Sequence, residues 1–225
     1  MSTSGKAPIL NIALLALAVS ALGIAFMVSK SKKPIRTLPY MGTYTVDSSL
    51  VNGTYKTDTS YHKVLDFKLL DQFGQTITLD TFKNKVFVAN FFFAQCPGIC
   101  KKMNSLLEGV TGQFKGNPYV KFVSYTVDPA HDSVPVLLEY ANLHDAVPYQ
   151  WYFLTGDKQE IYNLARKSYY AAVDDSGATF VHTSNMVLVD MHRHIRGIYD
   201  GTDSAAVKKM VVDINLLLEE ENQNP

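Results

Sequence analysis

The chain has 225 residues, 47% of them hydrophobic and 12% aromatic, enough apolar material for one domain with an extra segment or for two small domains. Lysine plus arginine and aspartate plus glutamate number 21 each, so the formal net charge is zero and nothing in it suggests a protein that holds nucleic acid. Only two cysteines occur, both in Cys96-Pro97-Gly98-Ile99-Cys100, which argues against a secreted scaffold stapled by scattered disulfides and marks the pair for chemistry.

In chain order, residues 8–28 are an uncharged run rich in Ala, Leu, Val and Ile. About 20 apolar residues suffice to cross a bilayer as a helix, so residues 1–28 read as an uncleaved membrane anchor. A cleaved signal peptide is the alternative, because Ala18-Val19-Ser20 and Ala21-Leu22-Gly23 resemble cleavage sites. Basic residues follow the run (Lys30, Lys32, Lys33, Arg36) more than they precede it (Lys6), a bias that taken alone would place the remainder inside. Residues 29–60 are polar, contain Pro34 and Pro39, and read as a linker with a short hairpin around residues 42–46.

Residues 61–225 read as a globular domain. A strand over 64–70, a turn at Asp71-Gln72-Phe73-Gly74 and a partner over 75–79 open it. The continuous apolar run over 85–93 has the character of a central strand buried on both faces. Met103, Leu106, Leu107, Val110 and Phe114 then recur at helical spacing. A strand over 119–127, a helix over 134–143, a short strand over 149–154 and a helix from 157 to 167 come next. Strands over 185–190 and 195–199 flank a turn at Met191-His192-Arg193-His194, and a last amphipathic helix runs over 204–220 with Asp203 or Ser204 as N-cap. This order predicts an α/β, thioredoxin-like fold with a mixed central sheet, preceded by an N-terminal transmembrane helix.

The cysteines fall where the buried strand gives way to a helix. Four residues apart at a helix start, they are expected on one face, and the helix N-terminus favours thiolate. Thiol–disulfide exchange, peroxide reduction and soft-metal binding all remain open for such a pair; a purely structural disulfide closing so small a loop would stabilise little. Zinc in a structural site would normally need four protein ligands, whereas two thiolates and one imidazole suit Cu(I). The histidine best placed to join them is His182, just before the strand over 185–190, in a loop that faces the cysteine pair in thioredoxin-like folds and normally carries a proline; none occurs here between Asp175 and Asp190. His62, His131 and His144 are weaker candidates, and Met191, His192 and His194 read either as an accessory metal site or as ordinary turn polarity.

Taken together, Cys96-Pro97-Gly98-Ile99-Cys100, Val127-Asp128-Pro129-Ala130-His131-Asp132-Ser133, Leu154-Thr155-Gly156 and His182-Thr183-Ser184 resemble the SCO/SenC family over roughly residues 61–221. The resemblance implies a membrane-anchored, thioredoxin-like copper metallochaperone. Its metal ligands would be Cys96, Cys100 and His182, with Cys96 and Cys100 also redox-active and Asp128 orienting the site from behind the ligands. Copper would be carried as Cu(I), with Cu(II) also admissible. It would come from an upstream donor and pass to the copper-site subunit of cytochrome c oxidase. The domain would lie on the periplasmic, extracytoplasmic side of the cytoplasmic membrane, held by one membrane pass. The alternative is a tethered thiol–disulfide reductase acting on the oxidase cysteines. Lys101, Gly98 and His131 stand where the family commonly has a proline, an acidic residue and an arginine.

Overall fold

In a computed structural model of the chain, the described residues are 36–171 and 183–223, with Ser20 and Gly23. The chain divides into two units, Met1–Arg36 and Thr37–Pro225. The axis of the second unit is strand β5 (Val86–Phe92), buried at all seven positions. Alternate side chains of a strand point to opposite faces, and β5 therefore feeds two cores. Val86, Val88 and Phe92 enter one of them, together with Met103, Leu107, Leu137, Met210 and Ile214. Phe87, Ala89 and Phe91 enter the other, with Leu69, Phe82, Tyr125, Ile161 and Tyr169.

The first core lies under three helices, α1 (Ile99–Gln113), α2 (Val134–Leu143) and the C-terminal α4 (Ser204–Gln223). The second is covered by a small hairpin, β3 (Lys68–Leu70) with β4 (Thr76–Thr78), and by α3 (Lys158–Asn163), whose N-cap Asp157 accepts the Glu160 N–H at 2.8 Å. With β6 (Val120–Thr126), β7 (Trp151–Leu154), β8 (Asn185–Val189) and β9 (Ile195–Asp200), β5 forms a five-stranded sheet in the order β7-β6-β5-β8-β9. β5, β6 and β7 run parallel, while β8 is antiparallel to β5 and to β9. This is the mixed α/β sheet expected from the sequence, and the expected elements of the domain lie within a few residues of their observed bounds. Asp203 caps α4 by accepting the Ala205 N–H at 2.9 Å.

Ahead of the sheet, residues 37–43 are fixed to the domain. The C=O of Leu38 accepts from Arg196 Nη2 at 2.6 Å, and the Met41 N–H donates to Ile195 O at 2.8 Å. Arg196 also meets Asp190 (3.1 Å) and Glu220 (2.7 Å) in a buried cluster. Two further strands, β1 (Tyr44–Val51) and β2 (Thr54–Tyr61), then form a full-length hairpin where the sequence suggests a linker with a short hairpin at 42–46. Asn52 and Gly53 both have positive φ (50° and 77°), the conformation of a two-residue turn that suits the twist of paired strands. Among the described residues no helix is long and apolar enough to cross a membrane. The expected anchor lies outside the described residues apart from Ser20 and Gly23.

Candidate metal centre

Parallel strands place their C-terminal ends at one edge of the sheet, where connecting segments build sites. Here β5 and β6 deliver two such segments. After Phe92 the chain turns through Phe93, Ala94 and Gln95, and the Cys96 N–H donates back to Phe93 O at 3.2 Å. After Thr126 the second segment holds Asp132, whose buried carboxylate accepts the Ala94 N–H at 3.0 Å and the Thr126 hydroxyl. One carboxylate thus ties the cysteine segment to the neighbouring strand. Burial raises the Asp132 pKa more than these hydrogen bonds lower it.

The sequence suggests that both cysteines start one helix. In the structure α1 begins at Ile99 with Gly98 as N-cap and no capping side chain, so Cys100 is in the first turn while Cys96 and Pro97 precede it. A helix start leaves N–H groups without intrahelical partners, and the Cys96 sulfur accepts from those of Cys100 and Gly98. Burial pushes the Cys96 pKa up, but the hydrogen bond from the Cys100 side chain, these backbone donors and the charge of Lys101 together bring it below the ordinary thiol value. Cys100 is the more deeply set, and burial followed by its hydrogen bond to Cys96 pushes it up to about 12. Both thiols are free and buried, 3% and 4% exposed. The pair holds its protons unequally: Cys96 is the more acidic thiol, and Cys100 holds its proton the more tightly.

Behind the pair runs a buried polar chain that sequence reasoning does not anticipate. Trp151 Nε1 donates to Ser124 Oγ (2.9 Å), which donates to Asn90 Oδ1 (2.6 Å). Asn90 Nδ2 donates to Asn104 Oδ1 (3.1 Å), and Asn104 Nδ2 donates to the Tyr140 oxygen (2.9 Å). Burial is the main cause that pushes the Tyr140 pKa to about 12; the charges of Cys100, Cys96 and Asp132 add to it, which puts the phenol beside the cysteines. Two signals for this chain are present in the sequence: an asparagine inside an otherwise apolar strand, and Asn104 one helical turn beyond Cys100. Tyr140 and Leu143 of α2, with Ala94 and Gln95, also line an open, largely apolar groove of about 580 Å³ beside the cysteine segment.

His182 lies outside the described residues. Its neighbours Thr183 and Ser184 do not: Ser184 O accepts the Gly201 N–H at 2.7 Å, and a methyl group built on Gly201 would lie 2.7 Å from Met103 Cγ and 2.8 Å from Ser184 O. Met103 is one turn along α1 from Cys100. Asp128 is engaged within its own loop, with its carboxylate 2.8 Å from His131 Nδ1 and its N–H on Thr126 Oγ1 at 3.0 Å; its neighbour Asp132 is the carboxylate that holds the cysteine segment. His62 faces Ser168 O (2.9 Å), His144 faces Glu108 (3.4 Å), and His192 faces Glu221 (3.5 Å). His194 Nδ1 is 3.3 Å from Asp190, within ion-pair range but off the line of a hydrogen bond. Among the described residues no three His, Cys, Asp or Glu side chains gather as a metal site, the Met191–His194 turn included.

Comparison with known proteins gives a consistent picture. The sequence model of the SCO1/SenC family matches residues 56–218. The SCO1 protein homolog of Bacillus subtilis is 28% identical over 166 residues, 72% of this chain and 86% of that protein. The solved structure of BsSco, described as a Sco-family cytochrome c oxidase assembly protein with a disulfide switch, is 28% identical, with a TM-score of 0.61 over 68% of this chain and 92% of that one. Yeast Sco1 with copper bound has the same fold at 24% identity, with a TM-score of 0.54 over 68% of this chain and 89% of that one.

Proposed function

This chain belongs to the SCO1/SenC family, and we propose that it is a copper metallochaperone that carries Cu(I) on Cys96, Cys100 and His182 and delivers it to the copper-site subunit of cytochrome c oxidase. The observation that carries this reading is the buried Cys96–Cys100 pair of free thiols at the start of α1, with the Cys96 pKa lowered by the N–H groups and the Cys100 side chain around it. Two soft sulfur donors suit Cu(I) over hard cations, and the nearby Asp132 carboxylate is already taken up by the Ala94 N–H and the Thr126 hydroxyl. Copper is the cargo here. On uptake the Cys100 proton leaves, the first turn of α1 keeps its N–H groups on Cys96, and Asp132 keeps the segment in place.

Gly201 lies against both Ser184 and Met103, which supports His182 as the third ligand, because Ser184 comes two residues after His182 and Met103 is one helical turn along α1 from Cys100. The groove beside Ala94, Gln95 and Leu143 offers an acceptor a landing next to the cysteines. Residues 8–28 would tether the domain to the outer side of the cytoplasmic membrane, where an upstream donor supplies the metal. The direct test is X-ray absorption at the copper edge of the Cu(I)-loaded protein. Two sulfur scatterers and one nitrogen scatterer are expected, with the nitrogen lost in His182→Ala; an unchanged spectrum in that variant removes His182 from the site.

The unequal acidity of the two thiols favours a second activity at the same pair. The Cys96 thiolate would attack an acceptor disulfide, forming a mixed disulfide and releasing one acceptor thiolate. Cys100 would then lose its proton and attack the Cys96 sulfur, releasing the second acceptor thiolate and leaving Cys96–Cys100 as a disulfide. Two electrons pass to the acceptor, and copper binding is lost until the pair is reduced again.

A further inference from the structure

The hairpin of β1 and β2 is exposed at all sixteen positions. An isolated two-stranded ribbon is marginal in water, and this one also sets Asp47 directly opposite Asp58. Its two faces differ sharply. Residues opposite each other share a face, so Tyr44, Val46, Ser48 and Leu50 stand with Tyr61, Thr59, Thr57 and Tyr55. That face carries no charge and holds Tyr55 and Tyr44 at 74% and 64% exposure and Leu50 at 62%. Asp47, Lys56 and Asp58 are all on the other face.

The ribbon stands at the pole of the sheet opposite the cysteines. β5 runs away from this pole toward Cys96, and β8 runs antiparallel to it, so the 190–194 turn lies at the start of β5. The ribbon is rooted on that turn: Val64 N–H donates to Arg193 O (2.9 Å), Lys63 pairs with His194, and Tyr40 stacks on Tyr61 at 4.2 Å. A cavity of about 320 Å³ opens beside the root, with Lys63, Lys83, His192 and Arg193 around it and Asp80 as the acidic residue of its lining. Arg193 is paired with Asp66 and His192 with Glu221. Among the described residues Lys63 and Lys83 have no such ion pair and are the basic groups left to meet a ligand.

We propose that this ribbon is a membrane-contacting arm, its tyrosine-rich face lying in the headgroup region of a lipid bilayer and Lys63 and Lys83 set against anionic headgroups. Tyrosine suits that boundary because its ring is apolar and its hydroxyl is wet. The face measures about 27 Å by about 10 Å, about a third of the ~800 Å² per partner that a specific protein interface needs, so a second copy is a poor occupant. The inference rests on the tethered reading: only residues 29–43 separate the apolar run 8–28 from β1. An arm at this pole leaves the cysteine pole facing away from the bilayer.

The test uses the full chain, labelled with 3-fluorotyrosine, in phosphatidylcholine–phosphatidylglycerol nanodiscs with and without a lipid carrying a headgroup gadolinium chelate. The Tyr55 resonance, assigned with Tyr55→Phe, should broaden at least fivefold more than that of Tyr162, whose hydroxyl donates to Val127 O at the cysteine pole. Tyr44→Ser with Leu50→Ser should abolish that excess while leaving the fold intact, as read by the resonances of the buried tyrosines. Equal broadening of Tyr55 and Tyr162 overturns the proposal, as does protection of Tyr55 that depends on protein concentration and not on lipid. Flotation with vesicles after a carbonate wash reads the tether separately. A chain that is stripped off the vesicles refutes the anchor, whereas one that stays bound without Tyr55 broadening refutes only the arm.

Discussion

At the scale of single residues, the pair at the head of α1 is chemically unequal, and that inequality has measurable consequences. Cys96 collects the N–H groups of Gly98 and Cys100 and the charge of Lys101, while Cys100 is buried and pushed up to about 12. Iodoacetamide at neutral pH should therefore alkylate Cys96 first, by tenfold or more, as read by fragment-ion mass spectrometry of the peptide holding both. Preferential labelling of Cys100 would contradict the assignment. The same values set the pH dependence of copper uptake. Between the lowered Cys96 pKa and about 12, the free protein holds one proton that copper must expel, so apparent Cu(I) affinity should rise about tenfold per pH unit. The cysteine motif itself is plain in the sequence. That Cys96 sits outside the helix is not, because the helix start depends on Gly98 acting as N-cap without a side chain to mark it.

At the scale of elements, β8 and β9 connect the segment after His182 to the cysteine helix through Gly201. A methyl group there would lie under 3 Å from both Met103 Cγ and Ser184 O, closer than packed atoms tolerate. Gly201→Ala should cost about 1–3 kcal/mol of stability by overpacking, read by urea unfolding of the copper-free protein. It should also weaken Cu(I) binding, since Thr183 and Ser184 have to move; copper affinity unchanged alongside lost stability would uncouple this contact from the site. Sequence periodicity serves well for elements whose environment imposes one. β5 is apolar throughout because both its faces are buried, and α2 shows a clear N-terminus with Ser133 and Pro135. The β1–β2 hairpin reads as linker because its Thr, Ser, Asp and Lys content hides the alternation of Tyr44, Val46 and Leu50, although Asn52-Gly53 is the strongest local hairpin signal. The Asn90–Asn104–Tyr140 chain is legible only in part: Asn90 in an apolar strand and Asn104 one turn beyond Cys100 mark two members, but the partners come together only when β5, α1 and α2 pack.

At the scale of the whole molecule, the candidate copper site and the entry of the chain lie at opposite ends of one sheet. The cysteines, Asp132, Tyr140 and the apolar groove occupy the end where β5 and β6 finish. The chain enters at the other, where Leu38 is buried and bonded to Arg196 and Glu220. The compact unit accordingly includes the strap from Thr37 onward. A fragment starting at Tyr40 forfeits Leu38 burial and its hydrogen bonds, about 2–3 kcal/mol, so its urea midpoint should fall below that of a fragment starting at Thr37; equal midpoints would show that this strap contributes nothing. The central claim is that the thiol pair at the cysteine end carries copper. The most direct measurement is competitive titration of the reduced protein with a chromophoric Cu(I) chelator, beside Cys96→Ser, Cys100→Ser and His182→Ala. A copper carrier of this kind should hold one Cu(I) per chain, lose it on either cysteine substitution, and bind at least tenfold more weakly in His182→Ala with the dithiol intact. A parent that holds no copper while it reduces disulfides catalytically, or a His182→Ala protein that binds as tightly as the parent, would contradict it.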